Sequence, residues 1–143
     1  YRYSVWNHPV MDPLKNNTAW HVPRELDFER MQRGAKHFVG KRDFRAFAVK
    51  REYEMRSTVR TVTACKVYKK ESLLMWVIDG DGFLYKMCRG IVGTLVEVGT
   101  GKLKPSDVRD ILKSCDRAQA GMTAPAHGLV LWKVYYRKGN AKR

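Results

Sequence analysis

One arginine of this sequence lies within a run of apolar residues that has the spacing of a helix. An unpaired buried charge is very costly, so the guanidinium of Arg89 must either reach solvent along its stem or meet a carboxylate. Arg89 is therefore the first residue to consider for chemistry, because in the second case it would hold an anionic group. The apolar stripe around it, which predicts the central buried helix, consists of Phe83, Leu84, Met87, Cys88, Ile91, Val92, Leu95 and Val96.

The other residue types that could carry chemistry are scattered. The four histidines are dispersed, and Cys65, Cys88 and Cys115 are far apart and outside any CxxC motif, so neither a metal site nor a disulfide framework is predicted. The glycines of GDGF and GTG lack the context of a P-loop or a GxGxxG motif. We expect no metal, and the free cysteines favour a reducing intracellular compartment, with cytoplasm, nucleus and organelle left open.

The order of predicted elements is strand, helix, hairpin, helix, helix, strand. This order predicts an α+β fold with a mixed, mainly antiparallel sheet and helices packed on it. A chain of 143 residues suits one domain, which we place at 1–136, followed by a basic tail at 137–143. The elements are a strand at 1–6, a helix from Asp27 to Gly40, a hairpin at 56–68 and 73–78, the central helix ending before Gly99, a helix from Pro105 to about Asp116, and a strand at 128–136.

The charge of the chain favours a polyanionic partner. Lys and Arg number 28 against 14 Asp and Glu, which gives a formal net charge of +14 spread along the sequence. Phosphate backbones attract such a surface, whereas no basic amphipathic helix, lipidation site or apolar run of about 20 residues points to a membrane. RNA or DNA is the expected partner. The basic outer face of the first helix, which includes Lys36, is by itself better interpreted as a solvated surface.

Four blocks of the sequence resemble the TruA-type tRNA pseudouridine synthases. They cover the chain almost from end to end, in the order of that family, and match the C-terminal half of its catalytic domain. The resemblance implies the pseudouridine synthase fold, RNA and most of all tRNA as the partner, no organic cofactor, and a homodimer as a possible assembly. The blocks are YRYSVWN, LDFERMQRGAKHFVGKRDFRAF, GDGFLYKMCRGIVGTLVEVGTG and DRAQAGMTAPAHGLVLWKVYY.

The resemblance also implies roles for individual residues. Tyr1 takes the place of the tyrosine that stacks on the target base, although spacing alone favours an ordinary packing role. Arg89 takes the place of the active-site arginine that orients the catalytic aspartate. Leu129, in TAPAHGL, and Phe83 are implied to bind the substrate. Cys88 stands where the family usually has an aliphatic residue, and Gly90 stands where it has Asn.

The catalytic aspartate of the family lies in a GRTDAGVH block, which this chain lacks. The aspartates Asp43, Asp79, Asp81 and Asp116 do not have the surrounding residues of that block, so no catalytic Asp is assigned. We expect that the chain begins within a longer protein and that this segment alone is inactive.

Two functions remain open at this point. The chain is expected to be part of an RNA pseudouridine synthase, an isomerase that converts uridine to pseudouridine and whose catalytic Asp is outside the chain. The alternative is a catalytically inactive paralogue that acts as an RNA-binding or ribonucleoprotein-assembly module, which the missing aspartate and the charge of +14 would suit.

Overall fold

A six-stranded mixed sheet forms the centre of the fold. The computed structural model describes residues 1–49 and 57–136. The order of its strands is β2-β1-β5-β4-β3, β6 also pairs with β1, and every pairing is antiparallel except that of β1 with β2. The predicted α+β class with a mainly antiparallel sheet is confirmed. The strands are β1 (Arg2–Trp6), β2 (Trp20–His21), β3 (Gly40–Asp43), β4 (Val59–Lys70), β5 (Leu73–Gly80) and β6 (Leu129–Val130).

Three helices accompany the sheet: α1 (Phe28–Lys36), α2 (Met87–Thr100) and α3 (Asp107–Ser114). The predicted cap of α1 is present, because the carboxylate of Asp27 accepts a hydrogen bond from the Arg30 N–H at 3.1 Å. The side chain of Arg30 donates to the carbonyls of Val98, near the end of α2, and of Leu103. It therefore fastens α1 to the C-terminal end of α2.

The central helix begins and ends later than the apolar pattern predicted. Lys86 has a left-handed backbone with φ of 60°, so Phe83 and Leu84 lie in the turn before Met87 rather than in α2. The helix continues through Gly99 and ends where Gly101 adopts φ of 88°, a conformation that glycine tolerates without strain.

One hydrophobic core joins a face of the sheet to the helices. Alternate residues of the three central strands are buried on that face, as the period of two in a strand requires. The helix that contributes most to the core is α2, which is buried on almost every side. The buried sheet residues are Tyr3, Val5, Val62, Cys65, Val67, Leu74, Trp76 and Ile78.

Two glycines of α2 allow other backbone segments to come close. A Cβ added at Gly90 would overlap the carbonyl of Phe47, and one added at Gly93 would overlap the carbonyl of Met122. Two glycines within a helix predict close packing against a neighbouring backbone, and the sheet is the expected neighbour. The close approach is confirmed, but the neighbour is not the sheet, because these glycines face the 3-10 turn at Arg45–Phe47 and the segment that follows α3.

The closing strand is much shorter than predicted. In its pairing with β1, Leu129 lies opposite Tyr3 and Val130 opposite Arg2, and no residue from 131 to 136 pairs with a described strand. Without a described strand opposite, this stretch does not enter the core, and Leu131 and Val134 are 58% and 51% exposed. The predicted basic tail at 137–143 lies outside the described residues. Within the described residues, no helix is long and apolar enough to cross a membrane.

Candidate active site

Tyr1 and Phe83 form an aromatic pair at one end of the sheet. Tyr1 is held by two backbone hydrogen bonds of 3.0 Å to Ile78, the residue opposite it on β5. Its ring meets that of Phe83 edge to face, with 5.1 Å between the ring centres and an angle of 89°. Two residues that the sequence placed in a strand and in a helix are thus in contact, because Phe83 lies in the turn that follows β5.

Arg89 lies in the first turn of α2 and is partly buried. Its Nε donates a hydrogen bond to the carbonyl of Ala124 at 2.7 Å, and the N–H of Ala124 donates to the carbonyl of Arg89 at 3.0 Å. Among the described residues, Arg89 forms no ion pair with a carboxylate. The backbone carbonyl therefore fixes the Nε side of the guanidinium, and the terminal nitrogens remain available to an anionic group.

The segment that holds Arg89 is fastened to α2 by two further side chains. Thr94 is fully buried, and its hydroxyl donates to the Gly90 carbonyl at 2.8 Å and accepts from the Gly121 N–H at 3.0 Å. Glu97 accepts from the Met122 N–H at 3.0 Å with Oε2. Its other oxygen forms an ion pair with Lys102 at 2.9 Å. One helix thus supplies both the arginine and the groups that position its partner.

Tyr3 connects this segment to the sheet. Its hydroxyl donates to the carbonyl of Pro125 at 2.6 Å, and its ring is buried. Burial raises the pKa of Tyr3 far above its usual value, and the nearby Arg89 cation opposes that rise only in part. The phenol therefore stays protonated and serves as a hydrogen-bond donor. Leu129 lies opposite Tyr3 in the pairing of β1 with β6.

The four predicted site residues come from four separate segments: Tyr1 precedes β1, Phe83 lies before α2, Arg89 lies in the first turn of α2, and Leu129 begins β6. Tyr1 and Phe83 are in direct contact, whereas Arg89 and Leu129 are related through Tyr3 and the 121–125 segment. Their proposed roles in the reaction stay predictions.

Three positioning residues were missed by the sequence interpretation: Tyr3, Thr94 and Glu97. The alternation of β1 does place Tyr3 on the same face as Tyr1, which is a usable signal. For Thr94 and Glu97 the only signal is a polar residue within an otherwise apolar stripe.

The described aspartates are mostly occupied in local structure. Asp43 accepts from the Thr58 hydroxyl at 2.7 Å, Asp81 accepts from the Thr61 N–H at 2.9 Å, and Asp116 caps a 3-10 turn by accepting from Ala118. Among the residues that the structure describes, no group of three His, Cys, Asp or Glu residues could hold a metal ion.

Comparison with known proteins identifies the family. The sequence model of the family described as "tRNA pseudouridine synthase" matches residues 35–137. "tRNA pseudouridine synthase A" of Brevibacillus brevis is 46% identical over 136 residues, which cover 95% of this chain and 55% of the relative. Proteins of the same name from Acetivibrio thermocellus and Methylacidiphilum infernorum are 43% and 41% identical, with 95% of this chain and 55% and 53% of those relatives covered. The chain thus spans about half the length of these relatives, and it belongs to the tRNA pseudouridine synthase family.

Proposed function

We propose that this chain supplies one wall of the uridine pocket and the arginine of a tRNA pseudouridine synthase, and that the catalytic aspartate comes from residues outside the chain. The observation that carries the proposal is the state of Arg89. Its guanidinium is fixed through Nε to the Ala124 carbonyl and has no carboxylate partner among the described residues. A partly buried cation held in this way is suited to receive an anionic side chain from another segment.

The chemistry assigned to this pocket is an isomerisation. The bond between the uracil nitrogen and the ribose is broken, and the detached base is rejoined to the same ribose through carbon, so no atoms of uridine are replaced by those of a co-substrate. In this scheme Arg89 orients the incoming aspartate and keeps it ionised, because an adjacent cation favours the charged form of a carboxyl group.

The aromatic pair suits the binding of a base that has left its stack. Unstacking a nucleotide costs a few kcal/mol, and stacking on an aromatic ring within a closed pocket offsets part of that cost. Tyr1 is assigned to stack on the base, and its edge-to-face contact with Phe83 supports its ring orientation. Leu129 and Phe83 supply apolar surface around the base, while Tyr3 holds Pro125 and so keeps the adjoining segment in place.

The substrate, the assembly and the cellular location are proposed from the relatives, the family resemblance and the composition. The printed names of the relatives specify tRNA, and the net charge of +14 suits that partner. A homodimer follows from the family resemblance, and light scattering of the purified protein would test it. The three cysteines are free, which suits a reducing compartment inside the cell.

The lack of a described carboxylate partner for Arg89 also fits a second function, that of an RNA-binding or assembly module. None of the described carboxylates pairs with Arg89, and this would also hold for a paralogue that had lost the catalytic aspartate and kept the fold for RNA binding or ribonucleoprotein assembly. The coding sequence before Tyr1 distinguishes the two functions. A GRTD block followed by a glycine turn supports the enzyme, and its replacement supports the binding module.

The direct test is pseudouridine formation on tRNA by the protein expressed from the complete coding sequence. Arg89→Ala should abolish most of the activity. Arg89→Lys keeps the charge but loses the Nε–H that binds Ala124, so it should recover only part of it. Arg109→Ala, on the exposed surface of α3, is the matched control and should leave activity unchanged. An inactive wild-type protein that still binds tRNA would favour the assembly module.

A further inference from the structure

A groove of about 600 Å³ lies between α1 and strand β4, and it is separate from the residues of the candidate active site. Phe28 and Lys36 line it from α1, and Lys66, Tyr68 and Lys69 line it from β4. Ligand-binding pockets commonly have volumes of about 300–1,000 Å³, so the groove is large enough to receive a nucleobase.

The groove is open because strand β3 is short. Strand β3 pairs only with the first residues of β4, from Val59 to Val62, and an irregularity in the pairing of β4 with β5 follows at Val62 and Ala64. Beyond that point β4 has β5 on one side, and no strand among the described residues pairs with its other side. The backbone edge of residues 63–69 therefore faces the groove.

The residues that line the groove include three lysines and two aromatic residues beside apolar ones. Lys36, Lys66 and Lys69 are exposed, and none of them forms an ion pair with another described residue. Asp and Glu are missing from the described residues that line the groove. Tyr68 is 53% exposed, so its ring is accessible to a base that enters the groove.

We propose that this groove is an RNA-binding subsite of the protein, in which the three lysines contact phosphates and Tyr68 stacks on an unpaired base. The inference rests on the proposed function, because it takes an RNA substrate as given. Grooves that bind single-stranded nucleic acid combine positive charges along the backbone with aromatic side chains on which bases stack. The groove would hold a part of the tRNA other than the target uridine.

The charges of the groove argue against an added protein strand. Lysines on a free edge are a common means of preventing strand pairing. If two copies of the chain paired through their β4 edges, Lys66 and Lys69 of each would come close to the same residues of the other, and like charges across strands are destabilising. RNA is thus favoured over a second copy, and an acidic peptide becomes an outcome of the test.

The first test compares two triple variants of the full-length protein. The groove variant carries Lys36→Gln, Lys66→Gln and Lys69→Gln, and the control carries Lys41→Gln, Lys104→Gln and Lys113→Gln, which are also exposed. Both lower the net charge of this chain by three, from +14 to +11. Binding of tRNA is measured by fluorescence anisotropy over a range of salt concentrations.

The groove variant should bind tRNA at least about tenfold more weakly at physiological salt. The slope of log affinity against log salt should fall by about 2, which is three phosphate contacts at about 0.7 each. The control should keep the wild-type slope. Tyr68→Leu should also weaken binding, while Tyr68→Phe, which keeps the ring, should bind like the wild type.

Pseudouridine formation by the same preparations separates this inference from the proposed function. The groove variant should show a raised KM for tRNA and an unchanged kcat, because none of the residues that line the groove belongs to the candidate active site. Equal affinities and slopes for both triple variants would overturn the subsite, even if the wild type forms pseudouridine. Binding of an acidic peptide that depends on the three lysines, with tRNA affinity unchanged, would overturn it as well.

Discussion

Arg89 and Ala124 are hydrogen-bonded to each other twice. The Arg89 side chain donates to the Ala124 carbonyl at 2.7 Å, and the Ala124 N–H donates to the Arg89 carbonyl at 3.0 Å. Because the guanidinium and the backbone of one residue both bind the same partner, the direction of the side chain depends on the position of the 121–125 segment. Residues that hold this segment should therefore affect the function of Arg89 without contacting RNA.

Thr94 is the first such residue. Thr94→Val keeps the shape of the side chain but leaves the buried N–H of Gly121 without its acceptor, which should lower the free energy of unfolding by about 1–3 kcal/mol. Urea denaturation followed by circular dichroism measures this. Thr94→Ser keeps the hydroxyl and should lose clearly less stability than the valine variant. Equal stability of Thr94→Val and the wild type would show that the hydroxyl does not hold the segment.

Gly93 is the second residue that should affect Arg89 through the 121–125 segment. A methyl group at this position would overlap the carbonyl of Met122 and come close to the N–H of Ala124, and both are backbone atoms that cannot turn aside. Gly93→Ala should destabilise the fold by about 1–3 kcal/mol and, in the full-length protein, reduce pseudouridine formation because the partner of Arg89 is displaced.

Gly82→Ala is the matched control for this substitution. The nearest atoms to an added Cβ there belong to the flexible side chain of Arg60, at 3.5 Å. Gly93→Ala should unfold at a lower temperature than Gly82→Ala, and it should form less pseudouridine in the tRNA assay. If Gly93→Ala were as stable as Gly82→Ala, the close contact between α2 and residues 122–124 would not exist in solution.

The lowered pKa of Asp43 predicts that the stability of the fold depends on pH. Burial opposes ionisation of Asp43, but hydrogen bonds from the Thr58 hydroxyl and the Arg45 N–H outweigh it and hold the pKa of this carboxyl below its usual value. A group with a lowered pKa in the folded state stabilises the protein above its unfolded pKa of about 4 and loses this contribution as the pH falls through the folded pKa.

Asp43→Asn should therefore be less stable than the wild type at pH 7 and lose less additional stability between pH 4 and pH 3. Urea unfolding at several pH values gives both quantities. Thr58→Val removes one of the two bonds and should give an intermediate profile. Parallel profiles for Asp43→Asn and the wild type would contradict the assignment.

The three cysteines should react at very different rates. Burial raises the pKa of the Cys88 thiol to about 12 and that of Cys65 still further, so at pH 8 only about one Cys88 thiol in ten thousand would be ionised. Cys115 is only partly buried, although burial and the nearby Asp43 raise its pKa too. Iodoacetamide followed by mass spectrometry should label Cys115 first, and Cys65 and Cys88 only on unfolding. Labelling of Cys88 as fast as Cys115 would contradict its burial.

The elements predicted correctly are those whose signals are local. The Asp27 cap of α1 and the hairpin of β4 and β5 depend on residues within a few positions of one another, and both are present. The closing strand at 128–136 had an equally good local pattern but pairs only at Leu129 and Val130. Among the described residues no strand lies beside residues 131–136, and a periodic pattern does not show whether a strand has a partner.

By itself, the sequence determined the class of fold and the basic character of the chain, and its resemblance to a known family indicated Arg89, Tyr1, Phe83 and Leu129 as the candidate residues. Periodicity, composition and short motifs are properties of neighbouring positions, so they can be found without coordinates. Only the tertiary structure decided how Arg89 is held. The bonds from Arg89 to Ala124, from Thr94 to Gly121 and from Tyr3 to Pro125 join residues 35, 27 and 122 positions apart. Such contacts exist only after the chain has folded, because folding alone brings groups so far apart in the sequence within hydrogen-bond distance.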